Sequence, residues 1–137
     1  MVTQDPPNLA LLTSTTTGDL KEIKRLLKSG IDVNELTTSG TTALHAAAGS
    51  GQPKAVQLLV ESGAKVDGRD KYGKTPLHCA ARYGHQNIAK MLIDQGASIN
   101  AQAKNGSHPL DWAIRFEHES LAALLSEHGG ECGKALR

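Results

Sequence analysis

The sequence predicts an all-α fold made of helix-turn-helix units stacked side by side. A period of 33 residues runs through the chain and relates these pairs: Leu44 and Leu77, Gly51 and Gly84, Gly63 and Gly96, and Pro76 and Pro109. A repeat of that length is typical of solenoids, in which each unit buries its apolar face only against its neighbours. Aromatic residues make up only 3% of the chain, whereas alanine, leucine and glycine are frequent, which favours closely packed helices over a β-sandwich.

Length and composition predict one soluble globular domain, since 39% of the 137 residues are apolar and 21% are charged. The formal net charge of +1 gives no overall reason to expect nucleic acid or an anionic membrane as a partner. Residues 1–7 lack the basic and apolar regions of a secretory signal, and no apolar run approaches membrane-spanning length. Cys79 and Cys132 have no metal-binding spacing, so reduced thiols and a cytoplasmic or nuclear location are expected.

The period divides the chain into a flexible lead, residues 1–7, a single domain, residues 8–130, and a frayed tail, residues 131–137. The polar lead cannot bury enough apolar surface to offset its conformational entropy. The domain contains four units, which span about 8–36, 37–69, 70–102 and 103–130.

Unit one is a degenerate copy at the end of the stack. Its first helix contains Leu11 and ends at Gly18, after which Asp19 is a suitable N-cap for a second helix. That second helix has an apolar face at helical spacing, made by Ile23, Leu26 and Leu27. Its other positions are charged: Lys21, Glu22, Lys24, Arg25 and Lys28. A charged face fits a terminal unit, because the outer side of such a unit meets water.

Units two to four each place a polar turn, a first helix, a tight turn and a second helix in that order. In unit three, Thr75 has the side-chain oxygen of an N-cap, Pro76 suits the first helical position, and Leu77 begins the apolar face. Short segments of alternating polarity link the units and predict extended arms too short for a sheet with its own core: residues 31–34, 64–67 and 97–100.

Unit three resembles the ankyrin-repeat family, which has a period of 33 residues and the signature T-P-L-H-x-A. The matching residues are Asp70, Gly73, Thr75, Pro76, Leu77, His78, Ala80, Ala81, Gly84, His85, Leu92, Gly96, Ala97 and Asn100. The resemblance covers residues 8–130 and implies an ankyrin-repeat solenoid, a curved stack of helix pairs with short β-hairpin loops along one edge. It also implies a protein-binding role without catalysis.

Several positions depart from the family pattern. Unit two has Ala43 for the proline, and unit four has His108 for the threonine, Asp111 for the histidine and Glu117 for the glycine between the helices. The glycine in such a turn commonly has a positive φ, so Glu117 predicts an altered turn or some backbone strain. We therefore expect unit four to be the least regular.

No arrangement of catalytic or metal-binding residues stands out. His45 and His78 fall at the signature position where the family has a structural hydrogen-bonding group, and no nucleophile recurs beside them. Four further histidines lack the spacing of zinc ligands: His85, His108, His118 and His128. We expect no catalytic residue, no cofactor and no metal; a metal- or thiol-dependent enzyme using these residues is one alternative.

The family resemblance assigns partner contacts to the loop tips and to exposed positions late in each first helix. Unit two offers only small residues there: Thr38, Ser39, Thr41, Gly49 and Ser50. Units three and four offer cations and rings, which we call the candidate strip: Lys71, Tyr72, Lys74, Arg82, Tyr83, Lys104, Asn105, Arg115 and Phe116. Tyrosine and arginine are enriched in binding hot spots, so the strip predicts a protein partner that presents an acidic, extended segment. Trp112 is instead expected to pack against unit three and close the stack.

Two other interpretations of the candidate strip are open. A nucleic acid or another polyanion is a second alternative, although the net charge near zero and the intervening acidic residues argue against it. The strip is otherwise a solvated face along which lysine and arginine stems lie. Neither membrane insertion nor self-association is expected.

The resemblance also raises a modification hypothesis. Asn34 and Asn100 occupy the asparagine position of a loop that an intracellular asparaginyl hydroxylase modifies in some relatives, and Asp67 replaces it in unit two. Hydroxylation of both asparagines is therefore a further expectation.

Overall fold

The computed structural model describes residues 7–37 and 39–133, and these residues form eight α-helices and no strand. In chain order the helices are α1 Pro7–Thr17, α2 Leu20–Lys28, α3 Ala43–Gly49, α4 Pro53–Glu61, α5 Pro76–Tyr83, α6 Gln86–Asp94, α7 Pro109–Arg115 and α8 Glu119–Glu127. Each consecutive pair corresponds to one predicted unit. The prediction of an all-α solenoid is confirmed.

The first helices of the four units form one row, and the second helices form another. Consecutive first helices pack extensively on one another, whereas consecutive second helices touch over fewer residues. Small side chains allow the close approach, because four alanines of α3 and α5 are fully buried: Ala47, Ala48, Ala80 and Ala81. The second helices bury larger side chains, among them Leu59, Ile88 and Leu92. The first helices therefore set the spacing between units.

Caps and turns fix where the helices begin and end. Thr42 accepts a hydrogen bond from the backbone N–H of His45 and so caps α3. Prolines occupy the first position of four helices, where a missing N–H has no helical partner: Pro7, Pro53, Pro76 and Pro109. Gly84 ends α5 with a φ of 72°, a left-handed conformation that glycine adopts without strain.

The loops between units are tight turns. In each loop two backbone N–H groups close the tip, over 2.8 to 3.0 Å. Thr37 donates to Thr41, Asp70 to Lys74, and Ala103 to Ser107; in return Gly40 donates to Thr37, Gly73 to Asp70, and Gly106 to Ala103. Neighbouring tips share one backbone bond, from Lys71 N–H to the Gly40 carbonyl and from Lys104 N–H to the Tyr72 carbonyl. The predicted β-hairpin loops are thus hairpin-like turns without strands in the described residues, because so few bonds join them.

The predicted domain limits remain a prediction. Residues 1–6 and 134–137 lie outside the described residues, and α1 begins at Pro7. Residues 131–133 belong to the predicted tail, yet Glu131 N–H donates to Asn100 Oδ1 and Gly133 N–H donates to Asp111 Oδ2. Within residues 7–37 and 39–133, no helix has the length and apolar character required to cross a bilayer.

Candidate functional site

A groove of about 460 Å³ runs along the loops and the first helices of units two and three. Its floor consists of small side chains: Ala46, Gly49, Ser50 and Cys79. Four members of the candidate strip line the groove, namely Tyr72, Lys74, Arg82 and Tyr83. The rings are open to solvent, since Tyr72 is 57% and Tyr83 53% exposed. The groove thus joins a shallow apolar floor to exposed aromatic and cationic walls.

Arg82 lies at the centre of an aromatic cluster formed by units three and four. Its guanidinium carbon is 5.3 Å from the ring centroid of Tyr83, 5.5 Å from that of Phe116 and 5.8 Å from that of Trp112. These distances are within the range of cation–π attraction. The rings therefore hold the guanidinium in place across the boundary between the two units.

Arg115 extends the same cluster. Its guanidinium carbon is 6.0 Å from the ring centroids of both Trp112 and Phe116, and those two rings are stacked 5.8 Å apart with an angle of 4° between their planes. Phe116 is 39% exposed, so the cluster continues to the protein surface. Cations and rings alternate from Tyr83 to Arg115.

A second cluster surrounds Tyr72 at the loop tip of unit three. The Nζ atoms of Lys71 and Lys74 lie 5.1 and 5.5 Å from its ring centroid. A smaller pocket of about 250 Å³ separates this tip from that of unit four. Its lining includes Tyr72, Lys74, Lys104, Asn105 and Trp112. Shared pockets and cation–ring contacts therefore connect all nine residues of the candidate strip.

Most cations of the strip lack a negative neighbour. Lys74 Nζ lies 3.9 Å from Asp70 Oδ2, and the Asp70 carboxylate also accepts the backbone N–H groups of Tyr72 and Lys74. Within the part of the chain that the structure describes, no carboxylate lies within ion-pair distance of the other four cations: Lys71, Arg82, Lys104 and Arg115. The face consequently carries uncompensated positive charge.

Trp112 lines the groove, although it is not one of the nine residues of the candidate strip. It contacts Arg82 of unit three, as expected for a residue that packs against that unit, and its Nε1–H donates to Ser107 Oγ at 3.2 Å. However, Trp112 is only half-buried, and it lines both the groove and the smaller pocket. Its contact with unit three agrees with the expectation, and the structure adds that the residue also lines the groove.

Of two other predicted positions, one makes hydrogen bonds within its own loop and the other lies outside the described residues. Asn105 Oδ1 accepts hydrogen bonds from the backbone N–H and the hydroxyl of Ser107, which closes the loop tip of unit four. Thr38, expected at the tip of unit two, is not among the described residues. Ser39 and Thr41 on either side of that loop do line the groove.

His45 and His78 join one unit to the next below the groove. The Nε2 atom of His45 lies 2.7 Å from the Lys74 carbonyl, and that of His78 lies 2.9 Å from the Ser107 carbonyl. A carbonyl only accepts, so each Nε2 carries the proton and donates. The backbone N–H of Thr75 donates to Nδ1 of His78. Both imidazoles are therefore fully engaged in structural hydrogen bonds.

Burial keeps these imidazoles neutral. It lowers the pKa of His45 and lowers that of His78 to about 4, because the charged form would lose its hydration. Burial also raises the pKa of the Cys79 thiol to about 11, which opposes formation of the reactive thiolate. Among the described residues, no three His, Cys, Asp or Glu side chains lie together as metal ligands. The geometry gives the two imidazoles and the Cys79 thiol a structural role.

Asp111 replaces the signature histidine in unit four; it accepts from the backbone N–H at the helix start, as His78 does, but its second hydrogen bond is accepted rather than donated. Its Oδ2 accepts from the backbone N–H of His108 at 2.7 Å and from that of Gly133 at 2.8 Å. An added Cβ at Gly133 would collide with the Gly106 carbonyl, so the tail fits closely at this point. An acceptor suits this position because a backbone N–H, rather than a carbonyl, faces it.

The asparagines proposed for hydroxylation form bridges between units. Asn34 Nδ2 donates to the Gly63 carbonyl at 3.0 Å, and its Oδ1 accepts from Lys65 N–H at 2.7 Å. Asn100 makes the same two bonds, to the Gly129 carbonyl and from Glu131 N–H. These hydrogen bonds give both side-chain amides a structural role, and hydroxylation of the two asparagines stays a prediction.

Comparison with known families agrees with the fold. A family model described as ankyrin repeats (3 copies) matches residues 8–103 and 70–135. Together these matches cover all eight helices except the first residue of α1. No curated protein matches the chain at a significant level.

Proposed function

Because this chain belongs to the ankyrin-repeat family, we propose that it binds one protein partner through its groove and loop tips. Ankyrin repeats are generally protein–protein interaction modules, and the family fold is not catalytic. We assign the contacts to the candidate strip together with Trp112. The role of the module is that of an adaptor, an inhibitory subunit or a targeting subunit, in the cytoplasm or the nucleus.

One observation carries the proposal: rings and unpaired cations are exposed on the same face, beside a floor of small side chains. Tyrosine, tryptophan and arginine are the residues that dominate binding energy, because they bury a large area with little loss of conformational entropy. An acidic partner segment would neutralise the four unpaired cations of the strip. Lysines at the loop tips would mainly accelerate the encounter.

The stack presents this face as a rigid surface. The first helices pack through buried alanines, and the loop tips are tied to one another by backbone hydrogen bonds. Rigid presentation lowers the entropy lost on binding, since few groups must be ordered when the partner arrives. The mechanism therefore requires no large conformational change in this chain.

Affinity capture from native cell extract tests the proposal. The double variant Tyr83→Ala/Phe116→Ala removes two exposed rings from the groove face, and we expect it to weaken partner capture by at least about tenfold. Ile114→Ala is the matched control, because Ile114 is also exposed, at 49%, but lies outside the candidate strip and lines a different surface pocket, beside Glu117 and His118. Equal capture by the double variant and the wild type would refute the proposal.

A polyanion such as nucleic acid is the second candidate, favoured by the same unpaired cations. A nucleic-acid complex would lose affinity steeply with salt, by about one power of the salt concentration for each phosphate contacted. An acidic peptide that buries rings would show a smaller salt dependence. Titrating the captured complex with salt, and testing retention on heparin, therefore separates the two candidates.

A further inference from the structure

A second groove lies between α4 and α6, the second helices of units two and three, and we call it the second-helix groove. It shares no residue with the groove of about 460 Å³ along the first helices. Its volume is about 380 Å³, within the range of ligand-binding pockets. Its apolar lining consists of buried Val56 and Leu92 and of half-buried Val60 and Met91. Consecutive second helices touch over fewer residues than first helices do, which leaves this space open.

The polar lining of the second-helix groove is acidic. It consists of the exposed residues Gln57, Glu61, Asp94 and Gln95. In the described residues, neither carboxylate has a cation within ion-pair distance, and Lys90, one turn before Asp94, does not pair with it. An apolar groove bordered by free carboxylates is complementary to an apolar group with positive charge beside it.

The carboxylates of this groove belong to a row at the ends of the second helices. Glu61 is the last residue of α4, Asp94 of α6 and Glu127 of α8, at intervals of 33 residues. None of these three helices has a basic residue in its last turn, whereas α2 of unit one ends in Lys28. The carbonyl groups at a helix C-terminus are partially negative, so a carboxylate there is destabilising.

Nothing in the described part of the chain offsets that destabilisation. The side chains of Glu61, Asp94 and Glu127 make no ion pair or hydrogen bond there. Residues that break a local rule without a compensating contact are expected at functional sites. The acidic row and the apolar groove beside it therefore point to the same surface as a binding site.

We propose that the second-helix groove is a second docking surface, which binds a basic protein segment that carries one large apolar anchor. The anchor contacts Val60 and Met91, and the flexible thioether of Met91 adjusts to its shape. Lysine or arginine side chains next to the anchor bind Glu61 and Asp94 at the negative ends of α4 and α6. With the candidate strip also occupied, the chain joins two partners of opposite charge.

A phage-displayed library of short random peptides, screened against the full chain, tests the kind of ligand. We expect one selected class to combine leucine, methionine or phenylalanine with lysine or arginine. For a fluorescein-labelled member of this class, Glu61→Gln/Asp94→Asn should weaken binding at least about tenfold by fluorescence anisotropy. Asp32→Asn/Glu35→Gln is the matched control, because it removes two carboxylates outside the groove and should leave the affinity unchanged.

Thermal unfolding separates binding from a structural role. Because both carboxylates oppose their helix dipoles, Glu61→Gln/Asp94→Asn should raise Tm, by about 2 °C, while it weakens peptide binding. The inference is overturned if no basic and apolar class is selected, if the groove variant binds as tightly as the wild type, if the control weakens binding as much, or if Tm does not rise.

The second docking surface and the proposed function can fail separately. The basic peptide should bind Tyr83→Ala/Phe116→Ala as tightly as the wild type, because those rings lie outside the second-helix groove. Weaker binding to that variant would place the peptide on the candidate strip and overturn the inference. Capture of a partner from extract through Tyr83 and Phe116 would be unaffected by either result.

Discussion

The imidazole of His78 links two units because one ring nitrogen accepts a hydrogen bond and the other donates one. Thr75 N–H donates to its Nδ1 at 3.0 Å, and its Nε2 donates to the Ser107 carbonyl at 2.9 Å. A second proton on the ring would point a donor at the Thr75 donor. At the scale of single residues, the donor and the acceptor around His78 therefore require a neutral imidazole in the folded protein.

This polarity predicts that stability depends on pH. The pKa of His78 falls from 6.5 to about 4 on folding, so the unfolded chain binds more protons than the folded chain between those values. The stabilisation is complete above pH 6.5 and is lost as the pH falls toward 4, by an amount on the order of 3 kcal/mol. His45, whose pKa is also lowered, adds to the same trend. Urea unfolding across this pH range measures the effect.

The matched variants are His78→Gln and Ile88→Val. Both are expected to be less stable at neutral pH, since one loses hydrogen bonds and the other loses a buried methylene. Only His78→Gln should reduce the loss of stability between pH 6.5 and pH 4. An unchanged pH dependence in that variant would contradict the assignment.

At the scale of the elements, the turn between the two helices of a unit requires a left-handed residue. The glycines Gly18, Gly51 and Gly84 have φ values of 78°, 72° and 72°, and Glu117 has 61° at the same place in unit four. Glu117 is the only non-glycine residue with a positive φ among the described residues. Unit four therefore keeps the standard turn and accepts some backbone strain, one of the two outcomes that the sequence predicted.

Glu117→Gly is expected to stabilise the protein. A residue with a Cβ in the left-handed conformation lowers the folding stability by about 1–2 kcal/mol. Replacing it by glycine recovers only part of that stability, because glycine has more conformational freedom in the unfolded chain. The net gain should be about 0.5–1 kcal/mol, or roughly 3 °C in Tm, by calorimetry. As a control, Ala123→Gly at an exposed position inside α8 should lower stability by about 1 kcal/mol. A loss of stability in Glu117→Gly would show that its side chain outweighs the strain.

At the scale of the whole molecule, each unit is stabilised only by the units beside it. Consecutive first helices share the buried alanines, and unit-to-unit hydrogen bonds such as that from His85 Nε2 to the Gly49 carbonyl span one interface each. Stability in such a stack is a sum of unit and interface contributions. Damage at the centre should therefore spread in both directions, whereas damage at an end should remain local.

Two leucine truncations test this behaviour. Leu77 in α5 and Leu125 in α8 are both fully buried, and replacing either by alanine should cost about 3 kcal/mol. Hydrogen exchange should show reduced protection from α3 to α8 in Leu77→Ala, but only in α7 and α8 in Leu125→Ala. If Leu125→Ala reduced the protection of α3 to the same extent, the stack would unfold as one cooperative unit instead.

Local patterns were enough to predict the helix pairs and the structural use of the histidines. The spacing of apolar residues depends on neighbours within one helix. The 33-residue period relates each residue to the same position in the next unit. The loops were less predictable, because the described arms share too few backbone bonds to be strands. The contact of Gly133 with Asp111 was also missed, since 22 residues separate them in the chain.

The sequence by itself determined the fold and its pairs of helices, whereas it left two outcomes open for the turn at Glu117, and the candidate strip stays a prediction. Only the tertiary structure decided that Arg82 lies among three rings and that Trp112 opens onto the groove. The physical reason is that a period fixes where each residue lies in the stack, whereas ring and guanidinium contacts depend on side chains from different units meeting at a few ångströms. Local sequence patterns therefore predict the architecture, whereas the chemistry of the groove depends on contacts between side chains of different units.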